Sequence, residues 1–203
     1  MTRMQLVVIG NGMAGMRTVE ELLQLAPDKY DITVIGREPH GNYNRIMLSP
    51  VLAGEKAFED IVIHPLSWYA ERGITLLAGH TVTGVDRVQR CVSTDQGVVV
   101  RYDRLLLATG SVPFMIPMPG HDHPDVISFR DIADVRRMLA PSATPPRVVV
   151  LGGGLLGLEA ANGLVKQGMA VTVVNDAAYL LNRQLDEEAS SLLRAALEAK
   201  GIA

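Results

Sequence analysis

Cysteine is almost missing from this chain: one residue, Cys91, among 203. A lone cysteine makes no internal disulfide, no CxxC redox pair and no cysteine-ligated iron–sulfur cluster. Its scarcity points to a reducing compartment, so the expected location is cytoplasmic. A surplus of charge is missing too. Lys+Arg 19 stands against Asp+Glu 22, a formal net charge of −3. Nucleic acid is therefore not expected as a partner, because neutralising phosphates needs a basic excess. Long apolar runs are absent: Leu6–Ile9 and Leu105–Ala108 fall far short of the ~18 residues of a membrane-spanning helix, so no membrane partner is expected. The first residues lack the apolar stretch of about 7–15 residues that marks a signal peptide, and none is expected. Gly 19 and Pro 11 are ordinary numbers and exclude collagen-like or low-complexity chains. What is present is a globular composition, 48% hydrophobic and 20% charged. At roughly 150 residues per domain the length suits one or two domains.

Short apolar runs alternate with longer helical patterns. Gln5–Ile9 reads as a buried strand, 13–25 as a helix and Asp31–Ile35 as a second, β-branched strand. Strand, glycine turn, helix and strand make a βαβ unit of a parallel sheet. Residues 36–65, with Pro39, Gly41, Pro50 and Gly54, read as mostly irregular. A short helix over 65–72 ends at Gly73, and Ile74–Leu77 is the next strand. Strands at 81–85, 90–94 and 98–102, with the turn Asp95-Gln96-Gly97, suggest a small antiparallel meander. Leu105–Ala108 is another buried strand. Pro113, Pro117, Pro119 and Pro124 mark a crossing segment, followed by a helix over 131–139 and the linker 141–146, where a domain boundary is expected. The βαβ pattern then restarts with strand 147–151, helix 155–167 and strand 170–174. A last helix over 185–200 carries Leu185, Ala189, Leu192, Leu193, Ala196 and Leu197 on one face, with Gly201 just beyond it.

Chemistry is concentrated in three places. The first is Gly10-Asn11-Gly12-Met13-Ala14-Gly15, between strand and helix. Gly10 permits the tight turn, Gly12 lets the backbone approach a pyrophosphate, and Gly15 lets the helix pack close to the sheet, with the helix N-terminus facing the phosphates. The acidic residue after the second strand is Glu38, later than the ~20 residues of the usual fingerprint. It reads either as a ribose ligand or as a solvated surface glutamate. The second place repeats this logic: Gly152-Gly153-Gly154-Leu155-Leu156-Gly157. Two copies imply two dinucleotides. Asn175 and Asp176 follow the second strand there, and the choice between NADH and NADPH stays open. The third is Ala108-Thr109-Gly110, a small-residue turn where a cofactor can lie close to the chain.

These motifs, in this order, resemble the two-dinucleotide flavoprotein family, the pyridine nucleotide-disulfide oxidoreductase-like proteins, in which an FAD domain is interrupted by an NAD(P)H domain. The segment 39–49 is similar to the flavin-side loop of rubredoxin and ferredoxin reductase-like members. More narrowly, 10–15, 42–49, 108–113, 129–135, 152–161 and 183–186 resemble the N-terminal part of assimilatory NAD(P)H nitrite reductase large subunits. The resemblance implies an α/β fold: a Rossmann-like FAD-binding domain at 1–140, with a parallel sheet and a small antiparallel meander, then the first half of a Rossmann NAD(P)-binding domain at 147–203. It implies FAD and NAD(P)H as cofactors and a redox partner domain or carrier protein.

Carried over residue by residue, the resemblance puts Gly10, Gly12 and Gly15, with Asn11, Met13 and Ala14 between them, on the FAD pyrophosphate. Glu38 takes the adenosine ribose and Arg45 lies against the flavin cofactor. The Val82 backbone meets the adenine, and Ala108, Thr109 and Gly110 form the turn beside the flavin. Gly152, Gly154, Leu155, Leu156 and Gly157 hold the NAD(P)H pyrophosphate, Glu159 lies near the nicotinamide, and Asn175 and Asp176 follow the second strand. Pro50 departs from the pattern, since many relatives have lysine there. No catalytic acid–base residue and no metal ligand is expected. His121-Asp122-His123 has no third partner for a metal, and no Ser-His-Asp context supports a hydrolase. The chain stops where the third strand of the NAD(P)H domain is expected, so a fragment is expected. The implied activity is hydride transfer from NAD(P)H to FAD in the electron-entry portion of a nitrite reductase, in nitrate assimilation. The alternatives are a stand-alone rubredoxin- or ferredoxin-type reductase and a dinucleotide-binding fragment without turnover.

Overall fold

The computed structural model of the chain describes residues 3–140 and 146–203. The expected linker falls mostly on 141–145, outside the described residues. Along the chain run β1 (Met4–Ile9), α1 (Met13–Leu25), β2 (Tyr30–Gly36), β3 (Asn42–Tyr43), α2 (Leu48–Leu52), β4 (Val62–His64), α3 (Leu66–Glu71), β5 (Thr75–Ala78), β6 (Val82–Asp86), β7 (Cys91–Thr94), β8 (Val99–Arg101) and β9 (Arg104–Leu107). They are followed by α4 (Ile132–Met138), β10 (Arg147–Leu151), α5 (Leu155–Lys166), β11 (Ala170–Val174) and α6 (Glu187–Glu198). The fold is α/β, with both the parallel sheet and the antiparallel meander expected from the sequence.

Two compact units form. The first comprises Met1–Asn44 and Ile61–Val112; the second comprises Arg45–Asp60 and Pro113–Ala203.

In the first unit four parallel strands lie in the order β5-β2-β1-β9. Leu6, Val8, Ile32 and Val34 face Met16 and Val19 of α1 and Tyr69 of α3; Val7, Ile9 and Ile35 face Val92, Val82 and Val100 of the meander β6-β7-β8. Burial on both faces explains why these strands read as continuous apolar runs rather than as alternation. The chain leaves β1 toward β2 on one side, while β9 pairs on the other. The C-terminal ends of β1 and β9 therefore flank the switch point of the sheet, where open α/β sheets place their ligands.

In the second unit β10 and β11 pair in parallel, and α5 packs on them. Ile202, next to the last residue, adds an isolated parallel bridge to Val171. The other face of the pair is open: Val149, Leu151 and Val174 are 62%, 46% and 50% exposed.

Two readings need correction. Residues 36–65 are less irregular than expected: they contain the β3–β4 ribbon, α2 and two 3-10 turns at Arg45–Met47 and Glu59–Ile61. Pro50 fits α2 because it lies in the first turn, where its missing N–H has no intrahelical partner to lose. The last helix begins at Glu187, because the Asp186 carboxylate accepts from the Ala189 N–H and caps it there. On that helix Leu197 and Ser190 are buried, while Leu192 is 71% exposed.

Candidate functional site

The first glycine turn has three separate steric demands. Gly10 has φ +115°, and a Cβ there would sit 2.1 Å from the Ala108 carbonyl oxygen. Gly15 sits so deep that a Cβ would lie 2.8 Å from the Gly10 carbonyl oxygen and 3.0 Å from the Ala108 Cβ. Gly12 is different: its missing side chain faces open space, with nothing within 4 Å. It caps α1 in extended backbone with no side-chain bond, and no acid stands in the first turn, formed by Met13, Ala14 and Gly15. The Gly10 N–H donates to the Ile35 carbonyl at 2.9 Å, and the Ala108 N–H to the Ile9 carbonyl at 2.8 Å. Thr109 and Gly110 (φ +71°) continue past β9 beside this turn, both exposed.

The second turn repeats the arrangement. Gly152 has φ +111°, and its N–H donates to the Val174 carbonyl at 2.8 Å. A Cβ on Gly157 would come 2.0 Å from the Gly152 carbonyl oxygen. Gly154 caps α5 with no side-chain bond and nothing within 4 Å. Leu155 and Leu156 open that helix and are exposed. By contrast α4 and α6 carry aspartate caps and acids in their first turns: Asp131 with Asp134, and Asp186 with Glu187 and Glu188. The short helices α2 and α3 also lack a side-chain cap; of the long helices, the two that follow glycine turns have neither a side-chain cap nor an acid in the first turn, so their N-terminal N–H groups keep the positive end that holds a phosphate.

A cavity of about 430 Å³ lies at the second turn, lined by residues 152–155, 175–177 and 181–184. Asn175 is committed to the protein: its Oδ1 accepts from the Gly153 N–H at 3.1 Å, and its Nδ2 donates to the Ala177 and Tyr179 carbonyls. Asp176 is exposed, and with Arg183 it lines the same cavity.

The remaining candidates are placed as follows. Glu38 is half-buried at the end of β2, and Tyr43, which the sequence reading passed over, donates its phenol to Glu38 at 2.7 Å. Val82 opens β6 and packs on the core beneath the meander. In the second unit Arg45 donates to the Arg130 carbonyl at 3.2 Å. Glu159, on the exposed side of α5, accepts from the Ser49 hydroxyl at 2.5 Å, so the residue beside Pro50 supplies its partner. Among the described residues no group of three or more His, Cys, Asp or Glu could hold a metal ion. No helix among them is long and apolar enough to cross a membrane.

Sequence reasoning also missed a buried polar chain behind the first turn. The Asn11 amide donates to the His40 carbonyl and accepts from the Tyr69 phenol at 2.6 Å. Asn42, His64 and Glu20 continue it. Burial pushes the Tyr69 phenol up to about 12, although its hydrogen bonds with Asn42 and Asn11 pull the other way.

The model of the family described as pyridine nucleotide-disulphide oxidoreductase matches residues 4–203. The chain is 50% identical over 202 residues to a nitrite reductase [NAD(P)H] of Bacillus subtilis (strain 168), covering 100% of this chain and 25% of that protein. It is 45% identical to an assimilatory nitrate reductase electron transfer subunit of the same organism, covering 100% of this chain and 26% of the relative. The chain therefore spans about a quarter of the length of these curated relatives. Among solved structures, an NADH:rubredoxin oxidoreductase from Clostridium acetobutylicum superposes with a TM-score of 0.86 at 26% identity, over 99% of this chain and 52% of that one.

Proposed function

Because the chain belongs to the pyridine nucleotide-disulphide oxidoreductase family, we propose that it binds FAD through its first glycine turn and NAD(P)H through its second, as the electron-entry segment of an NAD(P)H-dependent nitrite reductase. When bound, the pair of cofactors supplies hydride transfer from nicotinamide to flavin; the protein binds and orients them and excludes water. The observation that carries this reading is the repeated glycine turn opening onto an uncapped helix, set against the aspartate-capped α4 and α6. Gly12 and Gly154 leave the room that a pyrophosphate needs. On this reading Gly10, Asn11, Met13, Ala14 and Gly15 complete the FAD phosphate turn, Glu38 takes the ribose, the Val82 backbone meets the adenine, and Arg45, Ala108, Thr109 and Gly110 border the flavin. Gly152, Leu155, Leu156 and Gly157 hold the second pyrophosphate, Asn175 braces that turn, Asp176 meets the adenosine ribose, and Glu159 lies near the nicotinamide. Residues 1–140 form the FAD-binding domain and 147–203 the first half of the NAD(P)-binding domain. The protein works in the cytoplasm and passes its electrons to a partner domain or carrier.

Purified protein is expected to be yellow, with flavin absorbance that bleaches anaerobically on adding NADH or NADPH. A colourless protein that neither takes up FAD nor bleaches would overturn the reading. A stand-alone reductase for a rubredoxin-type carrier is the second reading, favoured by the 26% identity to the NADH:rubredoxin oxidoreductase. Steady-state reduction of an added rubredoxin by the same preparation favours the second reading, and NAD(P)H oxidation that leaves rubredoxin oxidised favours the first. Cofactor binding without bleaching would identify a binding segment without turnover.

A further inference from the structure

The polar chain behind the first turn has a definite direction. Asn42 is 1% exposed, and its Nδ2 donates to the Asn11 carbonyl at 3.0 Å. The opposite amide orientation would set Oδ1 against that carbonyl, two acceptors face to face. Oδ1 therefore points at His64 Nδ1, 3.3 Å away, so Nδ1 carries a proton. His64 is 4% exposed, and its Nε2 lies 2.7 Å from Glu20 Oε1, a contact that also needs a proton from one side or the other. The second Glu20 oxygen takes Arg17 Nη1 at 3.1 Å. The other neighbours of His64 come from α3: the Trp68 ring, 4.1 Å between centroids, and the Tyr69 ring at 6.4 Å. The chain Arg17–Glu20–His64–Asn42 thus ends on one backbone carbonyl, that of Asn11.

That carbonyl matters because a trans peptide is planar, with its C=O and N–H antiparallel. Pinning the Asn11 C=O toward Asn42 turns the Gly12 N–H to the opposite side of that peptide, next to a glycine whose Cβ position is open. A turn that binds a phosphate must present its N–H groups and hide its carbonyls. We propose that His64, held by Glu20, is a positioning residue for the FAD pyrophosphate: through Asn42 it fixes the Asn11–Gly12 peptide with its N–H facing the phosphate. The proposal rests on the FAD reading above, and it assigns a binding role to three buried or half-buried residues that never touch the cofactor.

Asn42→Asp is the sharpest probe, since aspartate keeps the shape but has no donor for the Asn11 carbonyl. Its FAD dissociation constant is expected to rise by about tenfold or more, as expected for a lost bond that leaves a buried acceptor unpaired. Glu20→Gln is the conservative rescue: its amide donates to His64 Nε2, Nδ1–H still reaches Asn42, and FAD affinity stays within about twofold. Glu20→Leu removes the partner and is expected to fall between the two. NADH affinity, measured by titration on the same proteins, is expected to be unchanged in all three, which a general loss of folding would not allow. In the FAD-free protein, the 15N–1H resonance of the Gly12 amide reports the peptide directly. It should shift in Asn42→Asp and stay in place in Glu20→Gln. Wild-type affinity for FAD in Asn42→Asp, or an unmoved Gly12 resonance, would overturn the proposal. Failure of the wild type to take up FAD, with the Gly12 shift still present, would overturn the FAD reading and leave the peptide-positioning chain standing.

Discussion

The two glycine turns are near copies locally and unlike in their surroundings. Gly10 and Gly152 have φ +115° and +111°, and Gly12 and Gly154 cap their helices at φ −88° and −87°. Each first glycine donates to a carbonyl in the last two residues of the neighbouring strand, Ile35 and Val174. Yet the first turn stands on four parallel strands covered on both faces, with Asn11 tied into a buried polar chain. The second stands on two strands and a bridge, with one strand face open and Gly153 held from its own unit by Asn175 and by the Leu181 N–H, which donates to its carbonyl at 3.0 Å. Turn geometry is thus set by sequence within about ten residues, whereas the stiffness of the turn depends on what lies behind it. If that holds, equivalent substitutions in the two turns should have unequal effects.

The largest difference is expected at the first glycines. Gly10→Ala meets both a left-handed backbone and the Ala108 carbonyl at 2.1 Å, whereas Gly152→Ala meets the backbone cost with nothing within 4 Å. Gly152→Ala is expected to cost about 1–3 kcal/mol and Gly10→Ala more than about 3 kcal/mol, read from urea midpoints. Equal costs would mean that β9 gives way at Ala108. The next pair is Val7 and Val149, both three residues before their first glycine, 1% and 62% exposed. Val7→Ala is expected to cost about 2 kcal/mol and Val149→Ala less than about 0.5 kcal/mol. A large loss at Val149 would show that something covers the open face of β10 and β11.

Local rules made most of this legible. Apolar runs, glycine spacing and the turn Asp95-Gln96-Gly97 located the strands, α1, α5 and the meander to within one or two residues. What escaped depended on tertiary proximity. Segment 36–65 looked irregular because Pro50 and its glycines obscure a five-residue helix and two short strands. The polar chain joins residues from 11 to 69, and no spacing rule links Asn11, Asn42, His64 and Tyr69. The strand Val62-Ile63-His64 even misleads, because its alternation buries His64 and leaves Ile63 45% exposed, the reverse of what their hydropathy suggests. Tyr43 and Ser49 lay in the segment 42–49 that carried the resemblance, but nothing in its spacing linked them to Glu38 and Glu159.

The polar supports should differ next. Tyr69→Phe leaves the Asn11 amide oxygen and the Asn42 N–H unpaired in the interior and is expected to cost about 1–3 kcal/mol. Asn175→Ala frees groups that water can reach and is expected to cost about 0.5–1 kcal/mol. Tyr69 also has a signature in pH. Its folded value is raised from 10.0 to about 12, so the folded state keeps the phenol neutral where the unfolded chain ionises. That contribution is complete below pH 10 and is lost as pH rises toward 12, on the order of 2 kcal/mol. Denaturation from pH 9 to 12 should show a steeper decline in wild type than in Tyr69→Phe; parallel curves would mean that the phenol is solvated in the native state.

The smallest effects concern the choice of nucleotide, and here the second turn has no counterpart in the first. Asp176 and Arg183 line one cavity with opposite charges. A carboxylate at the end of the second strand bonds a ribose 2′-hydroxyl and repels a 2′-phosphate, while an arginine nearby accepts the phosphate. Asn175 cannot serve for either, since both ends of its amide are already engaged. With Asp176 exposed, screening limits each charge to about a fivefold effect. Asp176→Ala should therefore lower the NADH-to-NADPH ratio of dissociation-derived affinities by about fivefold, and Arg183→Ala should raise it by about as much. If both charges face the same ribose, as proposed, the double variant should return to the wild-type ratio with weaker binding of both nucleotides. A ratio that moves with only one of the two substitutions would place the other residue off the adenosine pocket and assign the discrimination to a single charge.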